Sequence, residues 1–262
     1  VDRAPDAEGG QPDTGGVDVI ALIPAYQEAP RVGGVVTAAR ALLPVLVVDD
    51  GSTDGTADAA RAAGADVIAQ VPNRGKGAAL RLGFRAAADR GARAVVTLDA
   101  DGQHDPAELR RFLDAWTATG ADLVIGRRDF RAMPAVRRLA NTLGGLALTV
   151  AIGRPVPDNQ SGYRLVSRRL MAQLERSAEA GFEFEVEMIA VAVREGWAIE
   201  WVPISTIYAG EPSHIRPLHH LSNYLRVVRA ARRIVRSAPV GTPGARGSDD
   251  RADPVADDAA TG

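Results

Sequence analysis

The first half of the chain alternates in a way that admits few folds. Short apolar runs bounded by turn residues stand at Val17–Pro24, Val45–Asp49, Asp66–Gln70, Ala94–Leu98 and Asp122–Gly126. Helical stretches separate them, near Arg31–Leu43, Gly55–Ala63, Gly75–Arg90 and Pro106–Thr119. Pro106 suits a first helical position, with Asp105 as its N-cap. Strand–helix repetition predicts an α/β domain with a mostly parallel sheet flanked by helices. Ligands of such sheets bind beyond the carboxyl ends of the strands. The residues that follow each strand are therefore the ones to read for chemistry.

The second half is less regular. Helices are expected near Ala135–Ile152, Ser167–Arg176 and Phe184–Glu195, then a β segment at Ala198–Tyr208 and a basic helix at Leu218–Arg236. No repeat of fixed period stands out. Residues 17–215 read as one catalytic-sized domain with additions on one side, and 216–236 as a basic amphipathic helix. Residues 1–16 and 237–262 are rich in Gly, Pro, Asp and Ala and nearly lack large apolar side chains, so both are expected to be disordered tails.

Composition narrows the chemistry. The 262 residues include no cysteine, which excludes disulfides, thiolate metal sites and a cysteine nucleophile. The formal charge is −2, which argues against a broad nucleic-acid surface. The two tails carry −3 each, so the body is +4 and suits anionic ligands or an anionic membrane. The first 16 residues do not resemble a secretory signal. The longest uncharged stretch, Leu139–Gly153, is shorter than the ~20 apolar residues of a membrane span. A cytoplasmic protein is expected, either free or peripheral at the cytoplasmic face of the membrane.

Each strand end carries polar residues. After the first comes Pro24-Ala25-Tyr26-Gln27-Glu28, and after the second Asp49-Asp50-Gly51-Ser52-Thr53-Asp54-Gly55-Thr56. Paired carboxylates before a Gly/Ser/Thr turn suit a base N–H or ribose hydroxyls, although Asp54 and Thr53 also fit helix capping. The mutual repulsion of Asp49 and Asp50 needs a cause. After the third strand, Asn73-Arg74-Gly75-Lys76-Gly77 offers a place for a phosphate at a helix start, without P-loop spacing. After the fourth, Asp99-Ala100-Asp101-Gly102-Gln103-His104-Asp105 could aim two carboxylates at one hard cation, Mg²⁺ or Mn²⁺, with Gln103 or His104 as a further ligand. Arg127 and Arg128 follow the fifth strand as cations placed for an anion. No GxGxxG follows the first strand, which argues against a dinucleotide fingerprint.

Taken in order, IPAYQE, VVDDGSTDGT, NRGKGAAL, LDADGQHDP, NQSGYR (Asn159–Arg164) and GFEFEVEM followed by WVPI resemble the family 2 inverting glycosyltransferases of GT-A fold. Within that family the resemblance is greatest to the dolichol- and polyprenyl-phosphate hexose synthases. It implies a hexosyltransferase that uses a nucleoside-diphosphate sugar of the GDP-mannose or UDP-glucose type. Pro24, Ala25, Tyr26, Glu28, Asp49, Asp50, Lys76, Asp99 and Ala100 would bind the nucleotide sugar. Asp99 and Asp101, with Gln103, would hold the metal. Asp101 and Arg127 would be catalytic, with Arg127 meeting the acceptor phosphate and Arg137 or Arg138 a second candidate. Gln160, Ser161, Gly162 and Tyr163 would close over the acceptor.

Two acceptor classes stay open. A polyprenyl phosphate is already ionised at neutral pH and needs no strong base. A hydroxyl acceptor needs a carboxylate, from Asp101, Glu183, Glu185 or the more remote Asp158. A sugar-nucleotide-binding protein without turnover is the remaining alternative. The lipid acceptor draws support from the uncharged helix Leu139–Ile152 and from the last helix. There Leu218, Leu221, Leu225, Val228 and Val235 form a stripe among Arg226, Arg229, Arg232, Arg233 and Arg236, as in helices that lie on anionic membranes. Where related enzymes carry a basic loop residue, this chain has Gly210-Glu211-Pro212-Ser213-His214, leaving His214 or Arg216 as stand-ins.

Overall fold

A computed structural model describes residues 18–130, 135–176, 183–205 and 217–239. The expected N-terminal tail, residues 240–262 of the expected C-terminal tail, the His214 and Arg216 loop, and the side chains of Arg137, Leu218 and Leu221 lie outside the described residues.

Among the described residues, seven strands form one sheet, in the order β3-β2-β1-β4-β6-β5-β7. They are β1 Val19–Ala25, β2 Val45–Asp49, β3 Asp66–Ala69, β4 Ala94–Thr97, β5 Leu123–Arg128, β6 Arg164–Ser167 and β7 Ile199–Ile204. Every pairing is parallel except those of β6, which runs antiparallel between β4 and β5. All of β1 and β2 is buried, as continuous apolar runs in a doubly covered parallel sheet must be.

The helices are α1 Ala29–Arg40, α2 Thr56–Ala62, α3 Lys76–Asp89, α4 Leu109–Thr119, α5 Ala135–Ile152, α6 Arg168–Leu174, α7 Glu183–Arg194 and α8 Pro217–Arg236. A 3₁₀ turn, Pro106–Glu108, leads into α4, and the Asp105 carboxylate caps it by accepting the Ala107 N–H. Alternate strand residues face opposite layers. Val19, Ala21, Ile23, Val47 and Val96 pack with α1, α2 and α4, while Ile20, Leu22, Leu46, Val48 and Val95 pack with α3 and α5–α8.

Two expectations change. No strand is expected at Arg164–Ser167 from the sequence pattern, yet β6 is central and buried. Its first residue, Arg164, is wholly buried and donates to the carbonyls of Ser161, Glu185 and Asn159, which offsets the cost of taking its charge from water. The apolar stripe expected on α8 is divided. Val228 and Val235 pack against the core beside Tyr224, Val227 and Ile234, because α8 lies on α7 and α5, whereas Leu225 is exposed. α5 carries a longer exposed apolar face, through Leu139, Leu143, Leu146 and Val150.

Candidate active site

The carboxyl ends of β1, β2 and β4 meet the start of β6, because an antiparallel strand begins where its parallel neighbours finish. At that edge lies a cleft of about 440 Å³. Pro24, Ala25, Tyr26, Glu28, Asp50, Lys76, Asp99, Ala100 and Asp101 line it together with Asn73, Gly75 and Ala79. All the expected nucleotide-sugar residues except Asp49 are therefore in one place.

The loops around the cleft are tied to each other. Gln27, Glu28 and Ala29 donate backbone N–H groups to Ser52 Oγ, Thr56 Oγ1 and Asp54 Oδ2 at 2.9, 2.8 and 3.0 Å. Much of the Ser/Thr/Asp content after β2 thus holds the first loop rather than a ligand. Asp49 and Asp50 avoid repulsion by pointing to different donors. Asp49 accepts the Ser52 N–H, and Asp50 accepts the N–H groups of Arg74 and Gly75 at 2.8 and 2.7 Å. Asp50 so anchors the turn into α3, where two donors that could have met a phosphate are already taken. Gly51 allows this approach: its φ is +80°, and a Cβ there would lie 2.8 Å from the Asn73 nitrogen.

Lys76 begins α3, and its Nζ lies 2.6 Å from Asp99 Oδ1 and 2.7 Å from Glu185 Oε1. Burial draws the lysine pKa down, but the two carboxylates outweigh it and hold the ammonium above the ordinary lysine range. Burial pushes the Asp99 pKa upward, and the charge and hydrogen bond of Lys76 more than reverse that, leaving it below the usual carboxylate range. Asp101 Oδ1 accepts the Gln103 N–H at 2.9 Å, so Gln103 meets Asp101 through its backbone. His104 is buried, with Nδ1 facing the Asp99 N–H. Desolvation keeps it neutral against the pull of Asp99 and Asp101.

The segment after α5 completes the site. Gly162 carbonyl accepts from Thr97 Oγ1 at 2.6 Å, which presses the glycine onto the carboxylate. A Cβ at Gly162 would lie 2.6 and 2.8 Å from the Asp99 oxygens and 2.9 Å from Lys76 Nζ. Arg128 makes a bidentate pair with Asp158, at 2.7 and 2.9 Å, and its charge reaches Asp99 and His104. Asp158 is therefore committed to an arginine. Arg127, at the end of β5, and Gln160, before β6, are exposed at this edge, and Arg138 is exposed on α5. Ser161 is buried, and its Oγ has no hydrogen-bond partner among the described residues. The expectation that Tyr163 closes over the acceptor meets a different geometry. Its ring is wholly buried, stacked 4.3 Å from Phe112 and 5.1 Å from His104, and its hydroxyl donates to the Asp105 carbonyl. Tyr163 is part of the floor under the Asp99 loop.

Glu185 is the residue that sequence reasoning left among the candidate bases. Its signal was a carboxylate between Phe184 and Val186 on an otherwise buried helix face. Glu183, one of the alternatives, turns away to Arg226 at 2.8 Å.

No cluster of three or more His, Asp or Glu side chains able to hold a metal occurs among the described residues. Asp99 and Asp101 nevertheless open on one cleft, with the space beside Asp99 kept clear by Gly162. Two carboxylates fit a hard divalent cation that takes its other ligands from phosphate oxygens and water.

Residues 20–174 match the family described as Glycosyl transferase family 2. The chain is 35% identical over 202 residues to the polyprenol monophosphomannose synthase of Mycolicibacterium smegmatis, covering 71% of this chain and 76% of that protein. It is 33% identical to the undecaprenyl-phosphate mannosyltransferase of Micrococcus luteus, covering 72% and 83%. Among solved structures, glucosyl-3-phosphoglycerate synthase from Mycobacterium tuberculosis with phosphoglyceric acid superposes with a TM-score of 0.65 at 26% identity, covering 86% of this chain and 81% of that one. A second structure of that synthase contains Mn²⁺, UDP-glucose and phosphoglyceric acid, with a TM-score of 0.63 at 25% identity, covering 82% and 78%. The sheet order, the cleft and these matches agree: the chain is a glycosyltransferase of GT-A fold and belongs to glycosyl transferase family 2.

Proposed function

We propose that this enzyme transfers a hexose from a nucleoside-diphosphate sugar to a polyprenyl phosphate, with a divalent cation at Asp99 and Asp101. The observation that carries the donor half is the convergence of Asp50, Lys76, Asp99 and Asp101 on one cleft. Glu28, Asp50 and the Tyr26 ring would receive the nucleoside. Asp99 and Asp101 would hold Mg²⁺ or Mn²⁺, with Gln103 as a further candidate, and the bound cation would supply positive charge to the leaving diphosphate.

The acceptor oxygen forms its bond to the anomeric carbon from the face opposite the diphosphate. The bond between that carbon and the diphosphate oxygen breaks, its electron pair leaves with the nucleoside diphosphate, and configuration inverts. An ionised phosphate acceptor gives up no proton in this step. Arg127, with Arg138 as a second cation, would orient it by charge. Ser161 supports the acceptor assignment, since a buried hydroxyl without a partner is costly unless something fills its need.

The lipid reading rests on the exposed α5 stripe beside α8. Leu139, Leu143, Leu146 and Val150 recur at one-face helical spacing, and Arg229, Arg232, Arg233 and Arg236 stand exposed on α8, which packs against α5. No helix among the described residues is long and apolar enough to cross a membrane, so contact would be peripheral. A second reading has one observation in its favour: the superposed synthase structures hold phosphoglyceric acid. There Glu185 is ill-suited as the base, being paired with Lys76, and Asp101 is the better candidate.

The deciding assay combines UDP- and GDP-hexoses, Mn²⁺ or Mg²⁺, and a short polyprenyl phosphate or 3-phosphoglycerate, with Asp101→Ala as control. Glycolipid formed only with metal, and lost in the variant, supports the proposal. Product on phosphoglycerate but not on lipid moves the acceptor to a hydroxyl. Failure to bind any sugar nucleotide overturns the donor reading.

A further inference from the structure

We propose that Glu185 is a positioning residue of the donor site, which keeps Lys76 in the cleft when a divalent cation takes Asp99. The inference rests on the assignment of Asp99 as a metal ligand and goes beyond it. Lys76 Nζ bridges the two carboxylates at nearly equal distances, 2.6 Å to Asp99 and 2.7 Å to Glu185. The carboxylates are otherwise unlike. Asp99 is 27% exposed and lines the cleft, whereas Glu185 is 5% exposed and does not. The outer arm of the bridge is accessible to an incoming cation, and the inner arm is not.

Glu185 is also the better fixed of the two. It stands in the first turn of α7, and its backbone carbonyl accepts from buried Arg164, which also grips the Ser161 and Asn159 carbonyls. An N-terminal position on a helix would by itself suit a carboxylate. That does not explain why Glu185 turns inward to Lys76 while Glu183 turns outward to Arg226.

Charge gives the arrangement its consequence. Lys76, Asp99, Glu185 and Asp101 carry two formal negative charges in sum, which one divalent cation cancels. The neighbouring Arg128 is already balanced by Asp158. A cation that takes Asp99 must displace the ammonium. With Glu185 in place, the displaced ammonium keeps a carboxylate and remains beside the cleft, aimed where a diphosphate would lie. Without it, displacement would leave a buried charge poorly compensated, and that cost would appear as weaker cation binding.

The test is Mn²⁺ binding to the full chain without donor, followed by electron paramagnetic resonance, with UDP and GDP titrations in parallel. Glu185→Gln should weaken Mn²⁺ binding about tenfold. Lys76→Met should tighten it, since the competitor is gone, while weakening nucleoside-diphosphate binding. The double variant Lys76→Met/Glu185→Gln should bind Mn²⁺ at least as tightly as wild type. A structural defect would instead weaken binding in single and double variants alike. Should Glu185→Gln fail to fold, the Lys76→Met arm still decides, and unchanged Mn²⁺ affinity there overturns the inference. Mn²⁺ affinity of Glu185→Gln within twofold of wild type overturns it as well. Mn²⁺ binding that survives Asp99→Asn overturns the metal assignment itself and the inference with it.

Discussion

The two sides of the cleft are built in opposite ways. The proposed donor side comes from parallel strands, each delivering its polar residues at its carboxyl end. The proposed acceptor side comes from one segment, residues 158–163, that arrives from α5 and enters β6 against the strand direction. Repetition makes the donor side predictable. The acceptor side depends on one buried arginine, one glycine and one ion pair, so single changes there should have more varied results.

The largest effect should fall on the donor side. Asp101→Ala should lower transfer by about 10³-fold while leaving the thermal midpoint nearly unchanged, since Asp101 is a partly exposed loop residue. Transfer that persists would break the donor assignment. Next, Arg128→Ala strips the buried Asp158 of its cation and should cost about 3 kcal/mol in denaturant unfolding. An unchanged midpoint would show that the acceptor side is not held by that pair. Gly162→Ala forces Asp99 and Lys76 aside and should reduce kcat/KM by about 10²-fold, with circular dichroism unaltered.

Ser161→Ala is the gentlest probe. It should leave stability unchanged or slightly raised, because the lost hydroxyl has no partner among the described residues, and should raise acceptor KM about tenfold. The same rise in donor KM would erase the distinction between the two sides. Finally, burial depresses the His104 pKa, so neutral His104 contributes stability above about pH 6.5 that is lost as pH falls through its lower folded value. Asp99, also depressed, loses its contribution only below the ordinary carboxylate range. Urea midpoints between pH 7.5 and 5.5 should fall for wild type and fall less for His104→Gln.

The same asymmetry decided what the sequence could reveal. β1, β2 and β4 were legible because a strand covered on both faces must be apolar throughout. β6 was not, because it has four residues and opens on Arg164, whose charge reads as surface until its carbonyl partners are known. The cleft residues were legible as strand-end motifs. Their division of labour was not: Asp50 anchors a backbone turn, Ser52 and Thr56 hold a neighbouring loop, and Tyr163 lies in the floor. On α8 the expected stripe was only partly legible: Val228 and Val235 face the core but Leu225 is exposed, and period alone cannot say whether a stripe faces a core or a lipid.

The antiparallel place of β6 also governs the order of assembly. β5 follows β4 in the chain, yet the two are not neighbours in the sheet; β6 lies between them. During synthesis, residues 18–97 can form a four-strand unit, while β5 has no edge to join until residues 164–167 are made. Until then the partial sheet keeps β4 as an open, apolar edge. The strand that brings residues 158–163 to the cleft is thus also the one that ends this exposure, so a nascent chain completes that cleft only as it covers the open edge of β4.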